Sequence, residues 1–255
     1  MKKPSYKILF ITLLLVAVFT GCNEELLDEL LDRKGVAKKI RLKEMTRDGR
    51  RYQFAYDNKG HVDYITAVEG GQTIYTYDVT YKKKKLFLVQ LVEQGNVVSE
   101  NSNFEFDESG NIIEYTYTQY IEGVPEGVST VNNLQYDDQN RLIFLTSDGS
   151  PSGREWIYDN EDNVTRSTTS GSETTYTYDN KRNPLNMVPD LFFLVVEETG
   201  YWEFIVSKHN SVTRSHFTSW NNQTVNTTYT NEYDQYSRLV RKTEDSGNEF
   251  TFTYD

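Results

Sequence analysis

YDNKGHV, residues 56–62, sets the reading of this chain. Five further segments share its formula: FDESGNI (106–112), YDDQNRL (136–142), YDNEDNV (158–164), YDNKRNP (178–184) and YDQYSRL (233–239). Each runs aromatic, Asp, two variable positions, a small or polar residue, a polar residue and a closing residue that is apolar in every case but Pro184. Asp is favoured at the first position of a type I turn, where its carboxylate accepts a backbone N–H two residues on. The fourth residue counted from Asp calls for a left-handed backbone, which suits Gly60, Gly110, Asn140 and Asp162 and suits Arg182 and Ser237 less well. The phrase therefore reads as a strand end, a tight hairpin turn and the first core residue of the returning strand. It marks shape rather than chemistry.

The residues around these turns alternate. YQFAYD, TIYTYD, NFEFD, IIEYTYT and EFTFTYD carry an aromatic or aliphatic residue at every second position and mostly Thr, Glu, Gln or Asn between. That is the period of a strand with one buried and one wet face. Nineteen Tyr and thirteen Phe fit such a pleated surface. Successive Asp at 57, 78, 107, 137, 159, 179, 234 and 255 stand 21, 29, 30, 22, 20, 55 and 21 residues apart. About 21 residues is one hairpin unit of two strands and two turns. The chain is thus expected to be all-β, a large antiparallel meander of roughly 16–18 strands curled or closed into a barrel-like fold. Closure would remove exposed edges. Two places break the pattern: Asp78 is followed by VTYKKKK without the turn formula, and Pro184 delays the next phrase for 55 residues.

The first 22 residues belong to another class. Lys2, Lys3 and Lys7 precede the apolar run Ile8–Phe19, whose length suits a signal-peptide core and is short for a membrane span. The run ends Val18-Phe19-Thr20-Gly21-Cys22, and small residues before a cysteine resemble the bacterial lipobox, which implies cleavage before Cys22 and its acylation. Residues 1–21 are read as a lipoprotein signal peptide, 22–37 as a tether or short helix (NEELLDELLDRK places four Leu on one face), and 38–255 as the β domain. Cys22 is the only cysteine, so no intrachain disulfide staples the fold. The expected location is the outer membrane, lipid-anchored, on its cell-surface or periplasmic face.

The phrase Tyr-Asp-x-x-Gly-Arg/Asn-Leu/Ile is similar to the YD repeat of the large RHS-type shell proteins. Together with the lipobox, the length and the segment 183–210, residues 38–255 resemble a lipoprotein family of unknown function with a porin-like fold, from Gram-negative gut-type bacteria. The resemblance implies a barrel-like β meander and no assigned activity.

Net charge is −11, and it becomes −14 without residues 1–21, which hold three Lys and no acid. Such a surface repels nucleic acid and anionic lipid headgroups. No motif calls for a catalytic residue, a metal or another cofactor. GSPSG (149–153) has Pro where a hydrolase nucleophile would stand and reads as a hairpin tip. His61, His209 and His216 show no metal spacing, and DNEDN (159–163) lacks the Gly and Glu of a calcium loop. KKKK (82–85) reads as a solvated hairpin edge, or as a docking patch for a negative partner. Trp156 takes a core slot, whereas Trp202 and Trp220 lie outside the formula and are the candidate ligand-binding residues, as aromatic platforms for a glycan or an envelope protein. The expected function is a non-enzymatic envelope lipoprotein acting as a binding or scaffold module. The alternatives are a carbohydrate-active or glycan-binding protein on the same scaffold, and a membrane-spanning β-barrel.

Overall fold

The computed structural model describes residues 41–148, 150, 153–187 and 206–255. Strands β1 (Leu42–Arg47), β2 (Arg50–Tyr56), β3 (Val62–Glu69), β4 (Gln72–Lys82), β5 (Lys85–Glu93) and β6 (Asn96–Phe106) lead the chain. They are followed by β7 (Ile112–Ile121), the short β8 (Val124–Pro125), β9 (Thr130–Tyr136), β10 (Leu142–Ser147), β11 (Arg154–Tyr158) and β12 (Val164–Thr169). The last are β13 (Ser172–Arg182), β14 (His209–Thr218), β15 (Gln223–Tyr233), β16 (Leu239–Glu244) and β17 (Glu249–Tyr254). Each strand pairs antiparallel with its chain neighbour, β7 pairs with β9 past β8, and β17 pairs with β1. The result is a closed antiparallel barrel of sixteen strands, with β8 a two-residue flap on β7. The expected meander is closed.

Connections alternate between two rims. One carries the aspartate turns. The other carries two-residue turns with both residues at positive φ: Asp48-Gly49, Gly70-Gly71, Gln94-Gly95 and Glu122-Gly123. Their backbone twist matches that of the flanking strands, and glycine at the second position carries it without a Cβ penalty.

Five of the six YD phrases form one device. In the first, the Asp57 amide donates to the His61 carbonyl (2.8 Å) and the Gly60 amide to the Asp57 carbonyl (3.1 Å). Residues 60, 110, 140, 162 and 237 sit at φ between 60° and 91°, so Ser237 adopts the left-handed conformation despite its Cβ. Each Asp uses one oxygen for two turn amides, as Asp137 does with Gln139 N (2.9 Å) and Arg141 N (3.0 Å). Its second oxygen takes the side chain of the phrase's sixth residue: His61, Asn111, Arg141, Asn163 or Arg238. The phrase's first and last residues then pair across the ladder: Tyr56 with Val62, Phe106 with Ile112, Tyr136 with Leu142, Tyr158 with Val164, Tyr233 with Leu239. A bulge follows every pair, which raises local twist and helps the sheet curl.

Tyrosine hydroxyls join the units. Tyr136 donates to the Ile112 carbonyl (3.0 Å), Tyr158 to Leu142 (2.7 Å) and Tyr178 to Val164 (2.8 Å). Tyr254 donates to Leu239 (2.7 Å) and Tyr56 to Leu42 (2.7 Å). The closing contact repeats the pattern, since Leu42 pairs with Tyr254 and a bulge follows. Inside, Phe252, Met45, Tyr52, Ala67 and Tyr75 form one cross-strand row, and Phe54, Ile65, Tyr77 and Leu91 another. Trp156, 3% exposed, occupies the expected core slot.

The fifth phrase is an exception to the reading as six turns. YDNKRNP makes no hairpin: β13 runs through Tyr178 to Arg182, and Arg182 pairs with His209. Residues 149, 151 and 152 of GSPSG lie outside the described residues, as do Cys22, Trp202 and the segments read as signal peptide and tether.

Replacing Tyr158 by Phe removes one hydroxyl and leaves the ring under the Arg141 guanidinium, 4.8 Å away. Tyr158→Phe should cost about 0.5–1.5 kcal/mol in urea unfolding; an unchanged midpoint would show that the hydroxyl–carbonyl link contributes nothing. The turn donors also hold the Asp57, Asp107, Asp137 and Asp234 carboxyls below the usual carboxylate range. At Asp107 the Asn111 amide is the largest influence; at the other three, desolvation pushes upward and the combined hydrogen bonds outweigh it. A carboxyl depressed by folding stabilises above its unfolded value and loses that contribution as pH falls through the folded one. Stability should therefore hold down to about pH 5 and fall below about pH 4. A combined Asp137→Asn, Asp234→Asn variant should show a shallower acid limb in the same titration.

Candidate functional site

The polar cluster of the barrel lies where the YD formula breaks. Asp179 keeps the amide two residues on, Lys181 N (2.8 Å), as its turn counterparts do, but its second oxygen accepts from Asn231 Nδ2 (3.0 Å). The Tyr233 hydroxyl also donates to it. Tyr233 is the one aromatic of the YD turns that binds a carboxylate instead of a neighbouring carbonyl. Burial, then the Asp179 carboxylate, pushes its phenol well above the ordinary tyrosine value. Asn210 Nδ2 caps the group with bonds to the carbonyls of Lys181 (2.9 Å) and Arg182 (3.1 Å) and to the Tyr233 hydroxyl (3.2 Å).

Lys242 closes the cluster from β16. It is 3% exposed. Its ammonium donates to the Ser211 carbonyl (2.5 Å) and hydroxyl (3.0 Å), and to Asn231 Oδ1 (3.4 Å), with the Tyr229 ring 4.1 Å away. Asn231 thus stands between a carboxylate and an ammonium, donating to one and accepting from the other. A buried charge needs such partners, since each ion leaves water at a cost of several kcal/mol (~3–5 when a partner is removed). The adjacent cavity, bounded by Leu185, His209, Leu239 and Phe252, has about 10 Å³, room for one water molecule.

Chemically this is a network in which Asp179, Tyr233, Asn210, Asn231 and Lys242 all have hydrogen-bond partners. Glu244, also buried, is taken by Ser246 Oγ (3.0 Å) and Asn248 Nδ2 (2.8 Å). The histidines are placed by packing. His61 sits in its turn on Asp57 and stacks on Tyr81, with ring centres 4.7 Å apart. His209 meets Asn163 Nδ2 at 3.1 Å, and His216 meets Thr174 Oγ1 at 2.8 Å. Burial, then Arg214 and Arg154, keeps the His216 imidazole below its usual value, so it is neutral at pH 7. In DNEDN, Asp159 Oδ1 is occupied by the amides of Glu161 (2.8 Å) and Asn163 (2.9 Å). Among the described residues no cluster of three His, Cys, Asp or Glu side chains is placed to hold a metal ion.

Trp220 is elsewhere: at the β14–β15 tip on the glycine rim, 82% exposed, beside Asn221 and Gln223. The Asp179–Lys242 cluster was missed in the sequence because Asp179 was assigned to a turn. The usable signal was Pro184 in the last slot of its phrase, with the buried polar pair Asn210-Ser211 opposite.

The fold defines a class, the closed, porin-like antiparallel barrel. The structure is similar to a porin-like protein from Bacteroides uniformis (TM-score 0.56, 16% identity, 85% of this chain and 95% of that one covered). A porin-like protein from Bacteroides vulgatus aligns with TM-score 0.46 and 13% identity, over 84% of this chain and 99% of that one. No protein-family model and no curated protein matches the chain.

Tyr233→Phe removes a donor to a carboxylate, where Tyr158→Phe removes one to a neutral carbonyl. It should cost about 1.5–3 kcal/mol in the same urea assay, the larger of the two losses. Equal losses would mean that Asp179 is solvated rather than held by the network.

Proposed function

We propose that the chain is a non-enzymatic protein of the cell envelope, a porin-like barrel standing in water beside the outer membrane and held there by lipid on Cys22. As a module it binds or scaffolds. The outward face of the wall carries this reading. One outward row runs Gln135, Phe144, Glu155, Thr168, Glu173, Phe217, Thr224. A second runs Glu232, Arg241, Thr251, Thr46, Arg51, and a third Tyr64, Asp78, Gln90, Glu100. A wall facing lipid carries an apolar band, and a Lys or Arg at its middle costs about 2–4 kcal/mol. Here Asp, Glu or Arg recurs in each of the three rows, while Met45, Tyr52, Phe54, Trp156 and Phe250 point inward and are buried.

The non-enzymatic part rests on the carboxylates of the turns and of the Asp179–Lys242 cluster, which are occupied by their own hydrogen bonds. Trp220 offers an exposed ring on the rim opposite the chain's entry at Leu42, and a ring with polar neighbours suits a glycan or a protein surface. A second reading, a barrel that spans the outer membrane, is favoured by the likeness to porin-like proteins. In it Tyr64, Phe87 and Phe217, outward and 45%, 48% and 37% exposed, would belong to the lipid-facing wall.

Fractionation separates the two. Cys22→Ser should move the protein from membranes into the soluble fraction, or make it extractable by carbonate. Retention as an integral membrane protein would overturn the tethered reading and support the spanning one.

A further inference from the structure

The turn between β4 and β5 departs from every other connection on its rim. Lys83 and Lys84 both adopt positive φ, 52° and 69°, in a two-residue turn without glycine. The four glycine-rim turns of this kind have Gly at the second position. A lysine there costs about 1 kcal/mol or more in backbone strain. Protection of a sheet edge does not account for it, because β4 is paired with β3 and β5, and β5 with β4 and β6. Something other than folding keeps charge at this point.

The surroundings indicate what. Lys82 through Lys85 are all exposed, and the Lys82 ammonium lies 4.9 Å from the ring of Phe87, which points outward and is 48% exposed. Across the same half of the rim, Tyr236 is 67% exposed with the Arg238 guanidinium 5.1 Å from its ring. Lys59 lies on the turn next to the lysine turn, and Lys43 lies at the start of β1, where the chain enters the barrel. The acids of this half are Asp57, Asp63, Asp234 and Asp255; Asp57 is clamped by His61, and Asp234 is paired with Arg238 at 2.6 Å. The remaining connections, from the β6–β7 turn beside the lysine turn round to β13–β14, bear Asp107, Glu108, Asp137, Asp138, Asp159, Glu161 and Asp162, against Arg141, Lys181, Arg182 and Lys208. A chain of net charge −11 thus carries a basic, aromatic half-rim at the end of the barrel where β1 begins. Ammonium groups standing over exposed rings are the composition of a water–bilayer boundary, where rings sit at headgroup level and amines reach phosphate.

We propose that the Lys82–Lys85 turn, with Phe87, docks on the phosphate headgroups of an anionic bilayer and orients the barrel on the membrane. This deepens the tethered reading above and rests on it.

The test uses a variant chosen to fold at least as well. Lys83→Asn with Lys84→Gly installs the residues that this turn conformation prefers. Full-length wild type and variant, both made without acylation, are sedimented with vesicles of phosphatidylcholine, alone or mixed with phosphatidylglycerol. The variant should melt no lower than wild type, match it on phosphatidylcholine, and partition about tenfold or more weakly onto the mixed vesicles. Added salt should erase the difference. Equal partitioning of the two proteins onto mixed vesicles, or no preference of wild type for them, would overturn the proposal. Both proteins carry the same N-terminal segment and neither is acylated, so this outcome is independent of the Cys22→Ser fractionation.

Discussion

A hydroxyl on one hairpin donating to a backbone carbonyl on the next is the contact on which this barrel depends. Sixteen short strands, several of only five or six residues, must close with no disulfide among them. Ladder hydrogen bonds fix each strand to its neighbour but leave the curvature of the sheet open. Tyr136 and Tyr158 each pair with the last residue of their own phrase and donate to the last residue of the phrase before, and Tyr56, Tyr178 and Tyr254 make the same kind of donation to Leu42, Val164 and Leu239. The links from Tyr56, Tyr136, Tyr158, Tyr178 and Tyr254 therefore act as a ring under the aspartate rim. Where Phe106 has no hydroxyl to offer, the Lys85 ammonium stands 4.6 Å from its ring instead.

The aspartates make that ring possible. Each spends its carboxylate on its own turn, with two amides on one oxygen and a polar side chain on the other. That side chain is then reused. Arg141 lies over Tyr158 and Arg238 over Tyr254, each at 4.8–4.9 Å, and His61 stacks on Tyr81. One residue thereby fixes its own turn and covers the aromatic of the following unit, which couples turn formation to packing between hairpins.

Much of this was legible in the sequence because its determinants are local. Alternation marked the strands, Asp marked the turns, and Gly60, Gly110, Asn140 and Asp162 marked the left-handed positions. Strand number followed from counting the alternating segments. Closure was legible as a tendency of long curled sheets, but its agents were not, since Tyr254 and Leu42 lie at opposite ends of the chain. Tyr178–Arg182 was misread for a related reason. The letters are those of a turn, yet β14 lies alongside and takes up the backbone of Arg182, and distant residues (Asn231, Tyr233) claim the carboxylate of Asp179. The lysine turn escaped the formula because its conformation is one the letters argue against.

The break and the regular units solve the same problem with different currency. In a regular unit an apolar seventh residue fills the space behind the aromatic pair, as Leu142 and Leu239 do. Behind Tyr178 the partner is Ser211, and polar groups fill the space instead: Asn210, Asn231, Lys242 and Asp179. An apolar core tolerates exchange among residues of similar volume, whereas a buried network of this kind requires each donor to find its acceptor. It therefore fixes the relative placement of β13, β14, β15 and β16 more narrowly than packing alone, at the part of the barrel where the chain departs from its repeat. The outward rows show the complementary demand. The side chains that specify this fold are almost all turned inward, and charged side chains recur along the outward rows. Of that charge, the lysines at positive φ are the ones the backbone does not want.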